Sequence, residues 1–293
     1  MSGAALALVL AAAVCHAAWN LVAKTTGGGN AFVLIGSLLV TVLWAPLVLW
    51  IGVQEVGDWG FVEWGVLLAT AVVHAAYFRC LLHGYAVADL TVVYPVARGG
   101  GPLLATVGAL LVLGETLSAA AALGALAVVG GVFLVGGGVR LWRGGHDAAE
   151  RARTRRGVVW GATTAAFIAG YTLIDGYAVK MLLLSPLLVD YFGNVLRIPV
   201  MLPFALRDRA GFAQTWRQHW RAALVVATLG PLSYIMVLAA MRMAPLSHVA
   251  PAREVSTLLA ALAGGTLLRE ADRVPRLLGA LAIAGGVMAL ALG

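Results

Sequence analysis

The 293-residue chain is 61% hydrophobic and only 11% charged, with a mean hydropathy of +0.93. A soluble domain carries about 25% charge and could not hide that much apolar surface, so the composition excludes one and indicates an integral membrane protein. The formal net charge of +7 does not argue for nucleic acid, because the basic residues fall mostly in connections beside apolar runs.

Ten apolar segments follow one another, at roughly 3–23, 31–52, 62–86, 90–113, 117–139, 157–179, 187–206, 222–242, 247–268 and 275–292. About 20 residues at about 1.5 Å each cross some 30 Å of hydrocarbon, and in lipid a helix is the single-segment structure that pairs its own backbone groups. The first run lacks a basic start and continues through Trp19 to Val22, which makes it a transmembrane helix and not a signal peptide. Cys15 and Cys80 both lie inside apolar runs, so they read as buried thiols, with neither a disulfide framework nor a paired-cysteine metal site. Very short connections such as Val87-Ala88-Asp89 force antiparallel neighbours. The longest connection, Arg140 to Arg156, is arginine-rich and divides the spans five and five.

One unit is used twice. An offset of 155 residues carries Arg98 onto Arg253, Glu115 onto Glu270, and Gly124, Gly130 and Gly131 onto Gly279, Gly285 and Gly286. The chain therefore divides into a first repeat at 1–139, a basic linker at 140–156 and a second repeat at 157–293. Five crossings make each copy enter the membrane from the side opposite to its twin, which gives an all-α protein of ten transmembrane helices in two inverted five-helix repeats. Connections after odd-numbered spans hold 14 basic residues against two after even-numbered spans, which places the odd connections in the cytoplasm and both termini outside.

Charge inside the membrane is the sharpest functional signal, since an Arg or Asp at a helix centre costs on the order of 2.5–3.5 kcal/mol. On the fourth span Thr91, Tyr94, Arg98, Pro102 and Ala105 share one face, and Pro95 with Gly99 to Pro102 predicts a kinked or broken helix. On the ninth, Pro251 lies beside Arg253 and Glu254. The two arginines either hold an anionic group of a substrate or serve as structural cations paired with Glu254 or Asp175. His16, Trp19, Asn20 and Lys24 share a face of the first span, and the sixth presents Thr164, Phe167, Tyr171 and Asp175, with Asn20 falling on Asp175 at the repeat offset. These polar positions form either a cavity wall or interhelical hydrogen bonds; His16 is a proton shuttle or a packing residue. Arg79 is a cavity residue unless it snorkels to the interface. Asp190 and Arg197 lie on one face of the seventh span, so a bridge through Asn194 is expected, mainly structural. Glu115 and Glu270 sit at span ends, where helix-end or loop pairing is expected.

On the fifth and tenth spans, Ala127 with Gly131 and Ala282 with Gly286 are small-xxx-small pairs that suit packing of these two helices on each other, a homodimer seam being the alternative. No nucleophile elbow, phosphate-binding loop, dinucleotide fingerprint or metal-spaced His/Cys cluster occurs in the sequence, so no cofactor is expected. Any pumping would use an ion gradient, such as protons, or exchange.

Tyr94-Pro95, Pro102-Leu103-Leu104, Gly114-Glu115, Gly124 and Gly130-Gly131, with their second-half partners, resemble the drug/metabolite transporter superfamily, EamA type, over the whole chain. His16-Ala17-Ala18-Trp19-Asn20 and Val93 to Gly99 also resemble a bacterial subgroup associated with phosphonate utilisation. The resemblance implies secondary transport of a small polar metabolite, commonly export, through a central cavity in a bacterial plasma membrane. It also implies that the protein is not an enzyme; a membrane-embedded enzyme or lipid-headgroup handling protein is the alternative. Two features depart from the family: Arg269-Glu270 replaces the second Gly-Glu, and the charge bias puts the termini outside where the family is drawn with both inside. The expected substrate residues are Arg98, Arg253, Tyr94, Trp19, Asn20, Asp175, Tyr171, Glu254, Arg79 and His16, suited to a zwitterion or small anion.

Overall fold

The computed structural model describes residues 1–24, 26, 29–136, 148–263 and 273–293. Among these all regular structure is helical: α1 (Gly3–Lys24), α2 (Asn30–Ile51), α3 (Val53–Gly57), α4 (Phe61–Val87), α5 (Leu90–Val112), α6 (Ala119–Val135), α7 (Ala148–Lys180), α8 (Pro186–Leu206), α9 (Arg209–Met243), α10 (Leu246–Ala252), α11 (Val255–Ala263) and α12 (Arg273–Leu292). Eight of them are long and apolar enough to cross a membrane, and α6 is a shorter apolar helix. With the α10–α11 pair as the ninth, they fall on the ten spans read from hydropathy, residues 137–139 of the fifth and 264–268 of the ninth lying outside the described residues, and α3 is a single extra turn between the second and third.

Local chemistry sets the helix ends. The Ser118 hydroxyl accepts the Ala121 N–H at 3.1 Å to start α6, and Asp208 Oδ1 accepts the Gly211 N–H at 2.8 Å to start α9, caps worth about 1 kcal/mol each. Pro186, with no N–H to satisfy, opens α8. Two helices outrun their hydropathy. The α7 helix begins at Ala148, so the basic connection is helical from there on; its earlier part, 140–147, lies outside the described residues. The α9 helix begins at Arg209, well before the apolar run, and its added turns carry half-exposed Trp216 and Trp220 among Arg217 and Arg221, as befits a membrane interface.

The break expected in the fourth span falls in the ninth instead. The α5 helix runs unbroken through Pro95 and Pro102. Its glycines serve packing: a Cβ at Gly101 would lie 2.5 Å from Ile168 Cγ2 and one at Gly100 3.0 Å from Ala165 Cβ, so they let α7 lie close. In the ninth span α10 ends at Ala252, Arg253 and Glu254 form a turn, and α11 resumes at Val255. Pro251 lacks an N–H and crowds the preceding turn, which weakens the helical ladder there. The Arg253 and Glu254 N–H groups still find the Val249 and Pro251 carbonyls at 3.0 Å each.

Packing follows the repeat. The α1 helix packs on α9 as its twin α7 packs on α4, and α5 meets α7 as the ninth span meets α1. The α6 and α12 helices pair with one another. A Cβ at Gly124 would lie 2.7 Å from the Gly286 oxygen, and its image under the offset, at Gly279, 2.7 Å from the Gly131 oxygen. That reciprocity is what a two-fold relation between the halves requires. It also means that these glycines, read alternatively as a homodimer seam, are covered within one chain.

Candidate functional site

Between the halves lies a cavity of about 380 Å³, at the small end of the range for small-molecule sites, about 300–1,000 Å³. Its lining reaches Ala23, Gly29 and Tyr85, at the ends of α1 and α4 and the start of α2, so it opens on the face that carries the α1–α2 and α4–α5 connections. Deeper in, a layer containing His16, Arg98, Tyr171 and Tyr234 separates it from a chamber of about 60 Å³ that also touches Arg253 and Glu254.

Arg98 is the charged centre of this layer. Its Nη2 stands 3.3 Å from Glu254 Oε2 and 3.5 Å from His16 Nε2, so the imidazole nitrogen accepts. Glu254, 1% exposed, also lies 3.7 Å from Arg253 Nε and accepts the Thr257 hydroxyl at 3.1 Å. One carboxylate thus serves two guanidinium groups. Arg253 in turn reaches the Thr172 hydroxyl at 3.4 Å and stands 6.0 Å from the Tyr171 ring centre. Tyr171 is the repeat image of His16, so each half sets its arginine on the ring of its own first helix. Guanidinium groups carry five donors in a planar fork, which leaves Arg98 able to grip a carboxylate or phosphonate from the cavity.

Of the residues singled out in the sequence, Arg98, Tyr94, Trp19, Asn20, Tyr171 and His16 line the large cavity. Arg253 and Glu254 belong to the small chamber, not to the large cavity. Asp175 lines neither; it stands behind Tyr234, whose hydroxyl donates to it. Arg79 lies over the Phe204 ring at 3.8 Å and lines a separate open hollow with Asn30 and His83, so it belongs to the rim. Asn20 spends its amide on its own helix, donating to the His16 carbonyl at 2.7 Å.

The cavity also contains residues that sequence reasoning assigned to structure. Asn194 donates to Asp190 Oδ2 and accepts from Arg197 Nη1, each at 3.3 Å, so the expected bridge forms, and all three line the cavity. His74, stacked on Tyr171 at 3.9 Å, joins Tyr77 and Tyr234 in an aromatic wall. The signal was present in the buried charges of the eighth helix; their inward direction was not.

The opposite end is closed. Glu115, between α5 and α6, accepts from Lys180 Nζ at 2.8 Å and from the Leu246 and Ser247 N–H groups at 2.7 and 2.9 Å, tying the first half to the second. Burial opposes its charge, yet these donors prevail and hold the Glu115 carboxyl below the usual carboxylate range. Glu55 Oε1 accepts the Ser185 N–H at 2.7 Å on the same end. The loop pairing expected of Glu115 is therefore present, while Arg269 and Glu270 lie outside the described residues.

Residues 155–292 match the model of the EamA-like transporter family, and the 155-residue offset ties the first half to that unit. The second half of the chain belongs to the EamA-like transporter family. A solved crystal structure is similar to this protein with a TM-score of 0.71 and 17% identity, covering 100% of this chain and 98% of the other, a likeness that shows the fold. Among curated proteins none matches the sequence. EamA-like proteins are multi-pass membrane transporters, and the buried charges between the halves are the candidate site of this one.

Proposed function

We propose that this EamA-like transporter moves a small anionic or zwitterionic metabolite, such as an amino acid or an organophosphorus compound, by alternating access, as an exporter of a bacterial plasma membrane. An asymmetry between twin halves carries the reading. In the second half the sixth and eighth spans meet through Asp175 and Tyr234. The residues at the same places in the first half, Asn20 and Arg79, turn apart, one to the His16 carbonyl and the other to Phe204. Twin units held in different conformations leave one end open and the other closed. Exchanging the two conformations would reverse which end is open, the rocking expected of inverted repeats.

Arg98 supplies the anion contact, and the nearby Asp190 suits a cationic group, so unlike charges of one zwitterion would each find a partner at low dielectric. The cavity opens on the end that bears most of the basic residues. With that end cytoplasmic by the positive-inside rule, substrate enters from the cell and leaves outward. The test is flux from ATP-free proteoliposomes loaded with a panel of phosphonates, amino acids and amines. Efflux of anionic or zwitterionic members, lost in Arg98→Ala, is expected. No flux for any compound, or chemical conversion of one, would overturn the reading, the latter in favour of a membrane-embedded enzyme.

A further inference from the structure

Asp175 sits in the last turns of α7, five residues before its end at Lys180, with 1% of its surface exposed. One carboxyl oxygen accepts the Tyr234 hydroxyl from α9, and Oδ1 has no partner. Every neighbouring helix presents a group to it without giving it a cation. From α4 come the Thr70 hydroxyl and, one turn on, His74, which bonds back to Thr70 at 3.1 Å and stacks on Tyr171. From α8 come Arg197, engaged with Asn194, and Asp190, of like charge to Asp175. The α10 end brings Arg253, engaged with Thr172 and Glu254; Arg98 of α5 is taken up by Glu254 and His16. Among the described residues none of these cations forms an ion pair with Asp175.

The contrast with Glu254 decides between the two carboxylates. Glu254 has two guanidinium groups and a hydroxyl. Asp175 has only hydroxyls, those of Tyr234 and Thr70, and among the described residues no ion pair. A buried carboxylate charge without a cation is costly, and such a group neutralises by binding a proton.

We propose that Asp175 is the site where this transporter takes up and releases a coupling proton, with Tyr234 as the relay to the cavity. Tyr234 lines both the large cavity and the small chamber, so its hydroxyl joins Asp175 to both spaces. The transfer balances simply. A hydronium in the cavity gives its proton to Tyr234 Oη while the original hydroxyl proton passes to Asp175, which becomes a neutral acid; release runs the steps backwards. Asp190 and Arg197 fix the local field.

The proposal rests on the transport reading, and two measurements separate them. Infrared difference spectra of the purified full chain between acid and neutral pH should contain a carboxylic-acid carbonyl band that disappears in Asp175→Asn, shifts in Tyr234→Phe and survives in Glu254→Gln. A band that survives Asp175→Asn would assign the proton elsewhere and overturn the proposal. In proteoliposomes, Asp175→Asn should keep exchange of labelled for unlabelled methylphosphonate or glycine, which needs no net proton, and lose accumulation driven by a pH gradient. Accumulation retained in that variant would also overturn it. If the wild type moves no compound of the panel, the transport reading and the coupling fall together, while the infrared band still decides whether Asp175 binds the proton.

Discussion

Arg98→Ala separates a substrate site from a structural counter-ion. The guanidinium faces the large cavity and holds Glu254 at 3.3 Å, with only 15% of the Arg98 side chain and 2% of Glu254 exposed. Removing one partner of a buried pair costs about 3–5 kcal/mol. Here Arg253 remains 3.7 Å from the same carboxylate, so the low end of that range is expected, seen as a fall in the unfolding midpoint in detergent. Loss of one charge-assisted contact to an anionic ligand is worth about 1.5–3 kcal/mol, or roughly ten- to a hundredfold in affinity. Arg98→Lys keeps the charge but not the fork, so it should recover part of the stability and little of the binding. Arg253→Ala, which lines only the small chamber, should lower stability with a smaller effect on affinity. The assay is calorimetric titration of the transported panel compound into each folded variant. Normal affinity in Arg98→Ala, with a lowered midpoint, would make both arginines counter-ions and refute the assignment of the site.

Three further outcomes follow from the geometry. Gly131→Val would bring a Cβ to 2.5 Å from the Gly279 oxygen, and overpacking of this kind should cost about 1–3 kcal/mol; a midpoint equal to the wild type would contradict the α6–α12 packing. Glu115→Gln should destabilise by roughly 1.5 kcal/mol near neutral pH, since charge-assisted bonds to Lys180 and two N–H groups weaken. Because the folded Glu115 carboxyl lies below its unfolded value, its contribution is complete above the unfolded pKa and is lost as the pH falls through the folded one. The difference between wild type and variant should therefore shrink in acid, and a difference that grows instead would reverse the sign of the argument. Cysteine at exposed Ala148, with Cys15 and Cys80 replaced, should resist an impermeant thiol reagent in intact cells, whereas ready labelling would place the basic end outside.

The helices and their duplication were legible because both are one-dimensional signals. Apolar run length fixes a span, and one offset relates Arg98 to Arg253 without any knowledge of packing. Helix ends were less legible. The α7 and α9 helices continue into polar turns beyond the hydrocarbon, where hydropathy has nothing to report. The glycines of α5 illustrate a second limit: the sequence marks them as weak points, but whether they break a helix or admit a neighbour depends on Ala165 and Ile168, far along the chain. The site divided along the same line. Buried charge marked Arg98, Asp175, Asp190 and Arg197 alike. Which of them faces the cavity depends on helix rotation, and that is set by contacts such as Tyr234 on Asp175, which no local pattern encodes.

Alternating access requires that the open end close as the closed end opens. Pulsed spin-label distances between Leu82, near the end of α4, and Val226 of α9 in the other half, both of which line the cavity, test it directly in lipid nanodiscs. Two populations are expected, one matching the open cavity and one shorter, with a transported compound shifting their ratio. A single open distance, unchanged by a compound that demonstrably binds, would contradict it.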